Sequence, residues 1–163
     1  MAENLIISGD SKAEKYEVLY KQIKELVGYE TDEIANMANI SSMIHETFGF
    51  LWTGFYRVVG EELVLGPFQG PLACTRIRRG KGVCGTAVRD RRVIRVEDVH
   101  EFPGHIACDA ASASEIVVPL FKAHKVIGVL DIDSPHKGRF DEADEEGLKL
   151  AARTVQELVS MNG

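Results

Sequence analysis

Two N-terminal stretches return apolar residues every three to four positions, the spacing of one helical face. Tyr16, Leu19, Tyr20, Ile23, Leu26 and Val27 make the first stripe. Ser11 with Glu14 three residues on reads as its capping box, and Gly28 as its stop. The second stripe starts near Thr31, Asp32 and Glu33, runs through Ile34, Met37, Ala38, Ile40 and Ile44, and ends near Gly49. Residues 51–58 are then aromatic and β-branched, and a turn at Gly60, Glu61 and Glu62 leads into Leu63, Val64 and Leu65, which predicts a strand pair.

A loop-rich middle follows, broken at Gly66-Pro67, Gly70-Pro71 and Gly80-Lys81-Gly82. Within it, Val83 to Asp90 predicts a short helix and Val93 to Val96 a short strand, while 97–113 has no sustained period and reads as a long loop or lid. Two apolar runs, 115–121 and 125–133, flank the short turn Lys122, Ala123, His124 and predict an antiparallel hairpin. A last helix is expected from about Asp141 to Ser160. Its first turns are acidic, as the helix dipole favours, and Leu148, Ala151, Val155, Leu158 and Val159 form its apolar stripe. This order predicts an α+β fold: one domain over 1–163, a mostly antiparallel sheet, N- and C-terminal helices on one face, and loops with short helices forming a ligand pocket on the other.

Composition narrows the function more than the fold. The 163 residues are 45% hydrophobic and 27% charged, with a net charge of −6. An acidic chain lacks the basic field that nonspecific nucleic-acid or anionic-membrane binding needs, so neither partner is expected. The basic run from Arg76 to Lys81 is too short to change that and reads as a solvated loop. The N-terminus has neither the charged nor the apolar region of a signal peptide, and no stretch approaches a membrane span, so a cytoplasmic protein is expected.

Three cysteines, Cys74, Cys84 and Cys108, then need an explanation in a reducing compartment. They form no Cys-x-x-Cys pair, which argues against a zinc ribbon or a thioredoxin-type turn. Cysteine also serves as a small buried filler, so their surroundings decide. Cys84 follows a glycine turn near a helix start, where the dipole is expected to favour the thiolate. His105 stands three residues before Cys108 and could contact it, although a solvated loop histidine is the commoner case. The run Gly80-Lys81-Gly82-Val83-Cys84-Gly85 matches a dinucleotide fingerprint only in form. It lacks the preceding apolar parallel strand and the full-length helix that such a site requires. A zinc site from three cysteines and a histidine fails on spacing, and no metal is expected.

Asp131 and Asp133 are two apart on a strand and share a face, while Leu130 and Ile132 point to the core. Glu115 opens the partner strand, so three carboxylates are expected in one neighbourhood. Their mutual repulsion suits a bound cation, a shared proton or a solvated rim. Trp52 and Tyr56 are four apart on the first strand and share a face as well. Aromatic walls beside acids suit a small ligand with an ammonium group and an apolar tail.

With these residues in view, the chain resembles a GAF domain. The residues Gly128 to Ser134, Phe140, Asp144, Leu148 and Ala151 are similar to the end of that fold. Within it, the chain most closely resembles the free methionine-(R)-sulfoxide reductases over about residues 16–159. That match rests on 52–56, on 66–70, on 80–85, on the cysteine spacing and on the acids Glu115, Asp131 and Asp133. The resemblance implies Cys108 as nucleophile, with Cys74 and Cys84 as the other two redox cysteines and Cys74 preferred as the resolving thiol. It implies Trp52 and Tyr56 around the substrate methyl group, and Glu115, Asp131 and Asp133 as its polar contacts. It further implies a homodimer that uses thioredoxin as reductant, with no cofactor.

The expected chemistry is attack of a Cys108 thiolate on a sulfoxide sulfur whose oxygen is protonated by a carboxylic acid of raised pKa. A sulfenic acid forms and condenses with a second thiol, and thioredoxin reduces the disulfide. Which carboxylate gives the proton stays open at this level, as does the choice between Cys74 and Cys84. The alternative is a non-catalytic GAF sensor of a small ligand or of redox state, which would be expected to carry an output domain that 163 residues do not accommodate.

Overall fold

A computed structural model describes residues 11–105 and 111–158. Helix α1 (Lys12–Tyr29) starts where Ser11 accepts a hydrogen bond from the backbone N–H of Glu14, a cap worth about 1 kcal/mol. Asp32 caps α2 (Glu33–Phe48) in the same way through Ala35, and Gly49 ends it in the left-handed conformation at φ 66°, where glycine meets no Cβ penalty. Four of the first stripe's residues, Tyr16, Leu19, Ile23 and Val27, are buried. Ile34 departs from expectation: it is 64% exposed.

The strands are β1 (Trp52–Val59), β2 (Glu62–Gln69), β3 (Arg76–Arg78), β4 (Ile94–Val96), β5 (Ser114–Lys122) and β6 (Lys125–Ser134). Helix α3 (Gly82–Asp90) and a 3-10 turn (Val99–Glu101) lie between β3 and β5, and α4 (Glu142–Leu158) closes the described chain. The six strands form one sheet in the order β3-β2-β1-β6-β5-β4, and every pairing is antiparallel. The expected β5–β6 hairpin forms, with Ala123 and His124 at positive φ in its turn.

Two expectations are corrected. Strand β2 runs through Gly66-Pro67 instead of breaking there. The register shifts so that Gly54 faces Phe68 while Tyr56 faces Leu65, and this bulge lets a proline without an N–H sit in the strand. The basic run is not all loop either. Arg76, Ile77 and Arg78 form edge strand β3, with Ile77 buried between two exposed arginines, an alternation too short to be read as a period. Of the long loop at 97–113, residues 106–110 lie outside the described residues, and Cys108 with them.

Alternation along the strands sends side chains to two cores. On one face, Phe55, Ile116, Val118, Leu120, Leu130 and Ile132 pack against α1, α2 and α4. On the other, Trp52, Tyr56, Val117 and Val129 pack against α3 and the segments around it. The helical side is pinned by fully buried Asp144, which accepts from Tyr16 Oη and Lys12 Nζ, both at 2.7 Å. The helix-covered face is thus sealed, and the α3 face is left to build a cavity.

Candidate active site

The cavity lies where β1, β6 and β5 present consecutive pocket-facing residues. Register places Trp52 opposite Asp133 and Gly54 opposite Asp131, and Asp133 in turn opposite Glu115. The side-chain period of two then directs Trp52, Tyr56, Glu115, Asp131 and Asp133 to one side, and all five line the cavity. Gly54 leaves room for its neighbours: a Cβ there would collide with Phe68 Cβ and lie 2.7 Å from the Trp52 ring. The carboxylate convergence expected from sequence is present.

Trp52 and Tyr56 stack at 5.9 Å between ring centroids, and Phe68 extends the stack from Trp52 at 5.2 Å. Both polar tips are occupied. Trp52 Nε1 donates to the Pro71 carbonyl at 3.1 Å, and Tyr56 Oη donates to the Cys74 carbonyl at 2.8 Å. These bonds hang the 71–74 segment on the aromatic wall and position Cys74 beside the cavity. Cys74 is disulfide-bonded, whereas Cys84 is a free thiol.

Cys84 is carried in by α3, whose entry depends on glycine. Gly80 and Gly82 have φ of 83° and 63°, and a Cβ on Gly85 would meet the Arg78 carbonyl at 2.5 Å. The glycine pattern therefore serves a tight turn and a close helix approach, with an antiparallel edge strand before it, and not a dinucleotide site. The thiol points at Glu115 Oε2, 4.0 Å away. Here the helix-dipole expectation is overturned. Complete burial, then the charges of Asp131, Glu115 and Asp133, push the Cys84 thiol well above its ordinary range. A two-turn helix end cannot offset burial against three carboxyl groups.

Burial is also the leading cause at the acids. It raises Glu115 well above the usual carboxylate range, reinforced by Asp131 and Asp133. It raises Asp131 too, although hydrogen bonds from Glu115 and Cys84 pull the other way. Asp131 Oδ1 is buried without a hydrogen-bond partner among the described residues. Cys84, Glu115 and Asp131 each offer one ligand atom within 4.8 Å of one another, so among the described residues this is the set that could hold a cation. It differs from the three-cysteine and histidine set weighed from sequence.

His105 lines the cavity, and burial, then His100, lowers its pKa. Its expected partner Cys108 lies outside the described residues. Sequence reasoning missed Lys81 and Ser112 as lining residues. Lys81 falls inside the motif at 80–85 quoted above and could have been singled out. Ser112 sits in the aperiodic stretch, which carried no signal.

A family model for the GAF domain matches residues 37–160. A Dictyostelium discoideum relative, GAF domain-containing protein A, is 56% identical over 91% of this chain and 94% of its own. The Escherichia coli free methionine-R-sulfoxide reductase is 48% identical over 92% of each chain. A crystal structure of the Neisseria meningitidis free methionine-R-sulfoxide reductase in complex with its substrate superposes with a TM-score of 0.94 at 47% identity, covering 97% of this chain and 96% of that one. The described α+β fold with its single antiparallel sheet and the sequence likeness over nearly the whole chain lead to one assignment: the chain belongs to the GAF-domain family, in the branch of the free methionine-R-sulfoxide reductases.

Proposed function

We propose that this protein reduces free L-methionine-(R)-sulfoxide to methionine, with Cys108 as nucleophile and Glu115 as proton donor. The observation that carries the reading is a buried carboxyl group held above its ordinary pKa beside two aspartates and under an aromatic pair. A sulfoxide sulfur becomes electrophilic when its oxygen takes a proton, and Glu115 is the acid most strongly biased to keep one. The Cys108 thiolate attacks the sulfur. Oxygen passes to the cysteine as a sulfenic acid, the S–O bond to the substrate breaks, and methionine leaves.

Cys74 then attacks the sulfenic acid, water departs with the oxygen, and a Cys74–Cys108 disulfide forms. The disulfide-bonded state of Cys74 and the free, high-pKa thiol of Cys84 support Cys74 over Cys84 as the resolving residue. A dithiol reductant of the thioredoxin class restores both thiols by exchange. Trp52 and Tyr56 hold the methyl end, and Asp131 and Asp133 pair with the ammonium group. No cofactor takes part, and the working unit is a homodimer.

NADPH oxidation coupled through thioredoxin reductase and thioredoxin tests the reading. Turnover is expected with free methionine-(R)-sulfoxide and not with the (S) epimer or a peptide-bound sulfoxide. Cys108→Ser is expected to abolish it. Silence on all three substrates with a competent thioredoxin would refute the reductase reading in favour of a small-molecule sensor.

A further inference from the structure

Ser112 Oγ is buried in the cavity wall and has no hydrogen-bond partner among the described residues; the residue is only 6% exposed. A buried polar group left unpaired is costly, and at a ligand cavity it marks a contact that the ligand completes. Three of the donors around it are committed. The Trp52 N–H goes to Pro71 and the Tyr56 hydroxyl to Cys74, and the Cys84 thiol points at Glu115.

A free amino acid brings one cationic and one anionic end. Asp131 and Asp133 suit the ammonium group, and the orphaned Asp131 Oδ1 is an acceptor waiting for such a donor. Those same acids repel a carboxylate. Among the described residues, the Ser112 hydroxyl is the buried donor left unpaired beside the cavity. Lys81, an ammonium lining the same cavity, adds positive potential together with the first turn of α3, where it stands as N-cap without a side-chain capping bond.

We propose that Ser112 donates a hydrogen bond to the α-carboxylate of the substrate and so selects a free amino acid over a residue within a peptide. This rests on the reductase reading above. A hydrogen bond to a charged group translates into about a 10- to 100-fold change in binding. Ser112→Ala is therefore expected to raise KM for free methionine-(R)-sulfoxide by that factor while kcat stays within about twofold, the pattern of lost uniform binding. For 3-(methylsulfinyl)propylamine, which lacks the carboxylate, the same substitution should leave KM unchanged.

Calorimetric binding of methionine itself supplies a readout that needs no turnover, and Ser112→Ala should weaken it similarly while Ser112→Thr, which keeps the hydroxyl, restores it. Because the hydroxyl is unpaired without ligand, Ser112→Ala should also raise the denaturation midpoint of the ligand-free protein. An equal loss on both substrates, or unchanged KM and unchanged methionine binding, overturns the assignment. Wild-type silence on the sulfoxide with intact, Ser112-dependent methionine binding would sink the reductase reading and leave the carboxylate contact standing.

Discussion

Replacing Glu115 by glutamine should remove a pH dependence from the stability of the protein. Glu115 is 7% exposed, and burial with two neighbouring aspartates holds its folded-state pKa well above the ordinary 4.5. The unfolded chain therefore loses this proton first as pH rises. With more protons bound in the native state, the free energy of unfolding falls with pH, by about 1.4 kcal/mol per pH unit for one proton. The stabilisation is complete below the ordinary carboxylate pKa and is lost progressively up to the folded-state value. Between pH 5 and pH 7 that amounts to roughly 2.7 kcal/mol if Glu115 stays protonated throughout. Urea unfolding at several pH values, with the disulfide intact, should show the wild-type free energy declining relative to Glu115→Gln by that slope. Asp131 is raised as well, so the variant retains a shallower decline of the same sign. Parallel curves for the two proteins over this range would refute a protonated Glu115, and with it the proposed proton donor.

Three further outcomes are expected. Gly54→Ala should destabilise the protein by about 2 kcal/mol through overpacking and raise KM, because the added methyl group clashes with Phe68 and with the Trp52 ring stacked on it; urea midpoints and steady-state kinetics read both. Asp144→Ala should cost about 3 kcal/mol or more, since Lys12 and the Tyr16 hydroxyl lose a buried partner between α1 and α4. The activity of the molecules that remain folded should be unchanged, which a thermal melt beside the coupled assay checks. Tyr56→Phe frees the Cys74 carbonyl; methionine release in a single turnover should persist, while the following disulfide step, measured by rapid quench and thiol titration, slows.

The helices were legible because their signals are local. Ser11, Asp32 and Gly49 act on neighbours within one turn, and the stripes led by Tyr16 and Met37 need only the 3.6-residue period. Strand alternation likewise separated Asp131 and Asp133 from Leu130 and Ile132 before any coordinates. What escaped depends on partners far away in the chain. Strand β3 is ordered by pairing with β2, and the passage of β2 through Pro67 depends on a bulge against β1. The Cys84 thiol looked activated from its own helix, yet burial first, and then residues 131, 115 and 133, reverse that effect. Ser112 offered no period or motif at all; only the cavity shows that its hydroxyl is left without a partner. Spacing along the chain thus determines which residues share a face, since that depends on backbone geometry alone. Protonation and unmet hydrogen bonds depend on burial and on charges across the sheet, and those exist only once the sheet has closed over them.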